Sequence, residues 1–227
     1  GVVSRFDLNR NELPVTLAGI MRNVIDDTPI PDGCGILHHG EGVDLLPANI
    51  ELSGMEIRLI NAMSRESVLR TYINVVKPHY DYILIDCMPS LGMMPINSLA
   101  AADSVIIPSQ PSFLSAKGLD LLMQSIAKVK RQINPKLKIG GVFLTMANDT
   151  NFRKDIVAGV KENFGKHLPV LDAVIPATVR LAEISTADKS IFRHEPRGRA
   201  AAAYVALVKE VERIGEKQRI RPADIAR

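Results

Sequence analysis

The sequence is poor in cysteine and in aromatic residues. Only two cysteines, Cys34 and Cys87, occur in 227 residues, and they lack a C-x-x-C spacing. This usage argues against a disulfide framework and favours a reducing compartment, the cytoplasm. Tryptophan is absent and aromatic residues make up 4% of the chain, so we expect an aliphatic core. Because no run of 18 apolar residues occurs, no membrane-spanning helix is predicted.

Charge is unevenly distributed along the chain. Residues 1–151 carry 13 Lys and Arg against 15 Asp and Glu, whereas residues 152–227 carry 15 against 10. A basic C-terminal third is suited to binding a polyanion, although an ordinary solvated surface explains the same pattern equally well. The last residues, 216–227, are predicted to form a basic, loosely ordered tail.

Short apolar runs alternate with amphipathic segments of helical periodicity. Because the runs are continuously apolar, the strands are predicted to be buried on both faces. The pattern predicts an α/β fold: a doubly wound, mainly parallel sheet with helices on both faces, in a single domain over residues 1–227. The predicted strands are 43–47, 82–86, 104–107, 139–145 and 170–175, and the predicted helices are 13–27, 52–77, 93–102, 117–133, 153–164 and 199–215.

Residues that follow the strands are the candidates for chemistry, because ligands of such sheets bind at the carboxyl ends of the strands. Asp86 follows a run of four apolar residues, which is a Walker B pattern, and its carboxylate is suited to hold Mg²⁺ directly or through water. Capping of a helix is the alternative interpretation of a lone Asp at this place. The adjacent histidines His38 and His39 indicate a loop or surface role rather than a metal site, because no third ligand is evident.

Several motifs, in order, resemble the ParA/MinD family of deviant Walker P-loop ATPases. Asp86–Gly92 resembles D-x-P-P-S-L-G, with Met88-Pro89 at the paired prolines, and Asn97–Asp103 resembles N-A-L-x-A-A-D. Ile107–Pro111 resembles I-P-x-Q-P, and Ile175–Glu183 resembles I-P-x-x-V-R-x-x-E. The resemblance covers residues 13–215 and is greatest to ParA partition proteins of plasmids and conjugative elements.

The resemblance implies an ATPase that binds ATP and Mg²⁺, forms a homodimer and then binds DNA without sequence preference. It also implies a ParB-like centromere-binding partner, association with the nucleoid and no membrane partner. The implied catalytic and Mg²⁺-organising residue, acting through water, is Asp86. The implied nucleotide-sensing switch comprises Pro89, Ser90, Gly92 and Gln110. The implied adenine contacts are Met146, Asn148, Asp149, Pro176 and Thr178. The DNA-binding candidates are Arg180, Lys189, Arg193, Arg197 and Arg199.

One family element does not occur in these 227 residues. The family has a strand, a K-G-G-x-G-K-[ST]-[ST] loop, a helix and a second strand, which we expect before residue 13, yet the chain contains no Gly-Lys-Ser or Gly-Lys-Thr. The backbone cradle and lysines that hold the phosphates are therefore lacking. Without that first strand, we expect apolar surface to be exposed at Leu84, Ile106 and Ile107.

Three functions therefore remain open. The first is the partition ATPase, with ATP binding by this chain in doubt. The second is a non-catalytic pseudo-ATPase that serves as a DNA- or protein-binding module. The third, a MinD-like ATPase that positions itself on a membrane, requires large apolar residues in an amphipathic C-terminal segment, and residues 199–217 lack Trp and Phe.

Overall fold

The computed structural model of the chain describes residues 15–88, 92–110, 116–147, 158–160, 162, 165, 168–184 and 189–220, with backbone alone at 116–117 and 216–220. The chain divides into two compact units. The first comprises residues 1–103 and 123–137, and the second comprises 104–122 and 138–227. Helices dominate the first unit and a parallel sheet lies in the second. The predicted α/β class is confirmed.

Helices of the first unit pack around one aliphatic core. They are α1 (Leu17–Ile25), α2 (Glu51–Asn61), α3 (Val68–Val76) and α4 (Met93–Ala101), with a 3₁₀ turn at Lys77–His79. Their buried side chains contact one another at Ala18, Met21, Met55, Leu59 and Val68. The predicted helical region 52–77 is divided between α2 and α3. Ser64, between them, has a φ of 49°, and a left-handed residue ends α-helical backbone.

A short antiparallel hairpin also belongs to the first unit. Its strands are β1 (Leu37–His39) and β2 (Val43–Leu45). The strand predicted at 43–47 therefore exists in part, but it pairs with β1 and not with the parallel sheet. Asp44 holds the hairpin to later sequence: its Oδ1 lies 2.7 Å from His38 Nδ1 and its Oδ2 accepts a 2.8 Å hydrogen bond from Tyr80 Oη. These bonds, that from Tyr80 foremost, lower the pKa of Asp44 below its ordinary value of 3.8.

The second unit contains three parallel strands in the order β3-β4-β5 among the described residues. They are β3 (Ser104–Ser109), β4 (Lys138–Ala147) and β5 (Val170–Pro176). All three were predicted as strands. Pro108 was expected to end β3, but it lies within the strand opposite Phe143. A residue without N–H is tolerated there because, among the strands that the structure describes, β3 has β4 as its one neighbour.

The remaining helices are α5 (Ala116–Gln132), α6 (Val179–Glu183), α7 (Ile191–His194) and α8 (Arg199–Ile220). The last, α8, packs on β5 and β4 and ends five residues beyond its predicted end. Most of the helix predicted at 153–164 lies outside the described residues. Among the described helices, none has the length and apolar character needed to cross a membrane.

Gly141 allows β4 to pass close to the segment that enters β5. Its φ is 131°, which side chains rarely adopt, and a Cβ on this residue would lie 2.8 Å from the carbonyl oxygen of Pro169. The same oxygen accepts a 2.9 Å hydrogen bond from the Val142 N–H. The ladder between β3 and β4 shifts register between Val105 and Ile106, opposite this part of β4. Glycine is therefore required here by both backbone conformation and space.

The strand predicted at 82–86 is wrong in this structure. Residues 82–88 have no regular secondary structure, and the side chains of Tyr82 and Leu84 are 73% and 90% exposed. A strand pairs with a neighbour in a ladder, and none of the ladders within the described ranges includes this run. The expected exposure of apolar surface is thus found at Leu84. It is wrong for Ile107, which is only 7% exposed.

Candidate functional site

Three predicted site segments meet at one edge of the sheet in the second unit. Gln110 follows β3, Met146 is the next-to-last residue of β4, and Pro176 is the last residue of β5. The strands are parallel, with Ser109 opposite Leu144 and Ala147 opposite Pro176, so their carboxyl ends coincide. This edge is where an α/β sheet binds its ligands. We call Gln110, Met146, Pro176 and Thr178 the strand-end site.

Met146 is the most unusual residue of the strand-end site. Its φ is 56°, in the left-handed region, and its side chain is 57% exposed. The amide Nε2 of Gln110 lies 2.9 Å from its Sδ atom. A non-glycine residue in this conformation costs about 1–3 kcal/mol, and such strain collects at binding sites. Met146 is therefore an exposed residue in a strained conformation at the carboxyl end of β4.

The segment from Pro176 to Thr178 is held at the same edge by hydrogen bonds. The Ala177 N–H donates to the Ala147 carbonyl at 3.1 Å, which continues the pairing of β5 with β4 beyond Pro176. The Thr178 Oγ1 accepts a 3.1 Å bond from the Leu181 N–H and so caps α6. Since a hydroxyl both donates and accepts, capping leaves the Thr178 O–H able to donate to a ligand. Thr178 is therefore positioned by the helix that it begins.

The remaining predicted nucleotide-site residues belong either to the first unit or to parts of the chain that the structure does not describe. Asp86 belongs to the first unit and is exposed in the segment without regular structure, and Gly92 begins α4 in the same unit. Pro89, Ser90, Asn148 and Asp149 lie outside the described residues. Over the part of the chain that is described, no group of three or more His, Cys, Asp or Glu side chains is placed to hold a metal ion.

The predicted DNA-binding residues lie in the second unit, on or next to its last three helices. There α6, α7 and α8 pack through a small core of Ile191, Ala200 and Ala201. All five candidates are exposed: Arg180, Lys189, Arg193, Arg197 and Arg199.

These five residues differ in their acidic neighbours. Arg180 Nη1 donates to Glu183 Oε2 at 2.9 Å, and this bond raises the pKa of Arg180. Within the described ranges, no ion pair involves Lys189, Arg197 or Arg199. A phosphate must compete with Glu183 for Arg180, so the other three are better candidates. We call Lys189, Arg197 and Arg199 the basic surface.

Two polar residues of the first unit escaped sequence reasoning. Glu56 on α2 accepts hydrogen bonds from the first N–H groups of α4, and Asn97 on α4 is fully buried with three hydrogen bonds. In the sequence, Asn97 was identified only as the first residue of a family motif, with no structural role assigned. Nothing in the local sequence links Glu56 to α4, because the two lie 37 residues apart.

Comparison with known proteins gives a consistent picture. The profile of an AAA domain family, AAA_31, matches residues 3–139. An uncharacterised Mycobacterium tuberculosis protein is 42% identical over 177 residues, which are 77% of this chain and 55% of that protein. The sporulation initiation inhibitor Soj of Bacillus subtilis is 42% identical over 172 residues, 75% of this chain and 67% of Soj. The chromosome partitioning protein ParA of Myxococcus xanthus is 36% identical over 195 residues, 85% of this chain and 67% of ParA.

Solved structures agree on the fold. A Mycobacterium smegmatis protein described as cobyrinic acid a,c-diamide synthase, with bound ADP and magnesium, is 30% identical with a TM-score of 0.69. The match covers 88% of this chain and 80% of that one. An ATP complex of a McdA variant from Cyanothece has a TM-score of 0.74 at 16% identity, covering 95% of this chain and 80% of that one. The chain spans little more than half of the M. tuberculosis relative that it matches.

Proposed function

Because this chain belongs to the ParA/MinD-type family of deviant Walker P-loop ATPases, we propose that it acts in the partition of a plasmid or chromosome. The observation that carries the proposal is the similarity of this chain to the chromosome partitioning protein ParA, which extends over 85% of this chain. The relative described as a cobyrinic acid a,c-diamide synthase is less similar, at 30% identity. A partition role is therefore preferred to amide synthesis.

The proposed ligand is ATP with Mg²⁺, since a relative's structure contains ADP and magnesium and another contains ATP. We place the adenine at the strand-end site, where the exposed Met146 offers an apolar surface and the Thr178 hydroxyl offers a donor. Asn148 and Asp149 complete the proposed base contacts, and Asp86 is proposed to hold Mg²⁺ through water. Because the 227 residues contain no Gly-Lys-Ser or Gly-Lys-Thr, we expect ATP to bind this chain weakly.

The proposed second ligand is DNA without sequence preference, bound by a nucleotide-dependent homodimer at the nucleoid. Support comes from the basic surface, whose three side chains are exposed and lie around one helical cluster. Arg193 is exposed on the same cluster and Arg180 is held by Glu183, so we assign them smaller contributions. A ParB-like centromere-binding protein is the proposed stimulating partner.

The test is DNA affinity, measured by fluorescence anisotropy on a random-sequence duplex across a salt series with Mg-ATP. The triple variant Lys189→Ala/Arg197→Ala/Arg199→Ala is expected to bind at least about tenfold more weakly. If each residue contacts one phosphate, the slope of log affinity against log salt falls by about 2.7. The matched control is Lys128→Ala/Lys130→Ala/Arg131→Ala, which removes the same charge from exposed positions of α5.

Equal loss of affinity in the two triple variants would contradict the assignment of the basic surface, because general charge would then explain the binding. The same titration without nucleotide separates two of the functions left open by the sequence. An affinity that rises with Mg-ATP, and no longer rises in Asp86→Ala, supports the partition ATPase. An affinity that is identical with and without Mg-ATP supports the non-catalytic binding module.

A further inference from the structure

The start of α4 is capped by a side chain from another helix. Gly92 is the N-cap residue and has no side chain to offer, so the first N–H groups of α4 need other acceptors. Glu56 on α2 supplies both: its Oε2 accepts from the Met93 N–H at 2.8 Å and its Oε1 from the Met94 N–H at 3.1 Å. A carboxylate is also the charge that the positive end of a helix favours.

The same carboxylate explains why residue 92 is glycine. Gly92 has φ −78° and ψ −175°, which any residue adopts without strain, so backbone conformation does not require glycine. A Cβ on this residue, however, would lie 2.5 Å from Glu56 Oε1 and 3.0 Å from both the carboxyl carbon and Oε2. A side chain at position 92 and the capping carboxylate of Glu56 therefore exclude each other.

The helix that carries Glu56 is anchored in the core of the first unit. The neighbours of Glu56 on α2, Met55 and Leu59, are 1% and 0% exposed in the core of the first unit. Met93 and Met94 pack against the same core from α4. The carboxylate thus joins two helices that already share packing, and both hydrogen bonds break if α4 moves away from it.

We propose that Glu56 is a positioning residue for the nucleotide-sensing switch: its carboxylate fixes the N-terminus of α4 and dictates glycine at position 92. Gly92 is the last residue of the switch segment, residues 89–92. A shift of Gly92 in response to nucleotide must therefore break or carry along the Glu56 contact. The link to sensing rests on the proposed function, whereas the contact between Glu56 and Gly92 does not.

The test is a double-mutant cycle, read by hydrogen exchange of the Met93 and Met94 amides without nucleotide or DNA. Glu56→Ala removes both acceptors, and Gly92→Ala displaces the carboxylate, so each is expected to speed exchange by about tenfold or more. Because both act through one contact, the double variant should exchange no faster than Glu56→Ala alone. Glu56→Gln, which retains one oxygen acceptor, should keep protection at only one of the two amides.

The control is Glu51→Ala on the same helix, which removes a carboxylate whose ion pair with Arg22 is 4.0 Å long. It should leave Met93 and Met94 exchange unchanged. The proposal is overturned if Gly92→Ala speeds exchange equally with and without Glu56→Ala, since glycine would then be needed for another reason. It is equally overturned if Glu56→Ala leaves both amides protected.

The nucleotide arm is measured separately, as the rise in DNA affinity on adding Mg-ATP. If Glu56 positions the switch, Glu56→Ala changes that rise by at least about threefold and Glu51→Ala does not; an unchanged rise overturns the link to sensing. If Mg-ATP leaves the DNA affinity of the wild-type chain unchanged, the link between Glu56 and nucleotide sensing is also overturned. That result would count against the partition ATPase as well. The double-mutant cycle read by hydrogen exchange would still test the contact between Glu56 and Gly92.

Discussion

Asn97 provides the sharpest test of how the first unit is held together. Its side chain is fully buried and makes three hydrogen bonds to backbone groups. Oδ1 accepts from the Leu69 N–H at 3.1 Å, and Nδ2 donates to the carbonyls of Arg65 at 2.8 Å and Met93 at 3.0 Å. The Leu69 N–H belongs to the first turn of α3, and the N-cap residue Ser67 makes no side-chain bond to it. Asn97 therefore caps α3 from α4.

Asn97→Ala removes all three hydrogen bonds and leaves a buried N–H of α3 without its acceptor. A net hydrogen bond contributes about 0.5–1.5 kcal/mol and an unsatisfied buried group costs about 1–3 kcal/mol, so we expect a loss of about 3–5 kcal/mol. That is a large part of the 5–15 kcal/mol by which a typical domain is stable. Asn97→Asp keeps the acceptor for Leu69 but turns two donors into acceptors that face carbonyls, and should be comparably harmful.

The assay is native-state hydrogen exchange at Leu69, because a chain with two compact units need not unfold in one step. A loss of about 3 kcal/mol or more speeds exchange at this amide by a factor on the order of 10² or above. The matched control is Asn49→Ala, which removes one 3.2 Å bond to the Glu51 N–H at the surface. Exchange at Leu69 that rises less than about fivefold in Asn97→Ala, or equally in Asn49→Ala, would refute the reasoning.

Two other predictions concern single contacts. Tyr80→Phe removes the main cause of the lowered pKa of Asp44, whose ionised form stabilises the fold above pH 3.8 and stops doing so as pH falls through the lowered folded value. We expect the variant to lose about 1 kcal/mol at pH 7 and the Asp44 pKa, followed by NMR, to rise; an unmoved pKa would contradict this. Gly141→Ala, which presses a Cβ against Pro169, should lower the free energy of unfolding, measured by urea denaturation, by about 2 kcal/mol. Gly54→Ala, which meets no atom within 4 Å, should stabilise α2. Equal effects of the two glycine changes would count against the strain at position 141.

Some elements were predictable because their signal is local. β3, β4 and β5 are short apolar runs, and α4 and α5 carry helical periodicity within their own residues, so their bounds fell within three residues of prediction. The same local pattern gave Gln110 and Pro176 as residues at strand ends, whereas Met146 and Thr178 were predicted only from the family resemblance. The parallel pairing places Gln110, Met146 and Pro176 at one edge. The assignment of Met146 and Pro176 to adenine, and of Gln110 to the nucleotide-sensing switch, remains a prediction.

Other features were not predictable because they depend on neighbours. Tyr82–Asp86 has the composition of a strand, yet composition cannot provide the partner whose backbone groups would pair with it. Residues 43–45 also read as a strand, and whether they join the sheet or a hairpin depends on the turn at Gly42 and on the partner β1. The local sequence indicates whether a segment can form a strand, but the partner of that strand depends on residues elsewhere in the chain.

The sequence by itself determined the α/β class, the family and which residues stand near the carboxyl ends of β3, β4 and β5, since each of these lies in short-range pattern or motif. The tertiary structure alone decided which side chains cap α3 and α4. Asn97 reaches Leu69 across 28 residues of sequence, and Glu56 reaches Met93 across 37. Such contacts exist only after helices pack on a shared core, because packing brings an acceptor within hydrogen-bond distance of a helix end that no local residue satisfies.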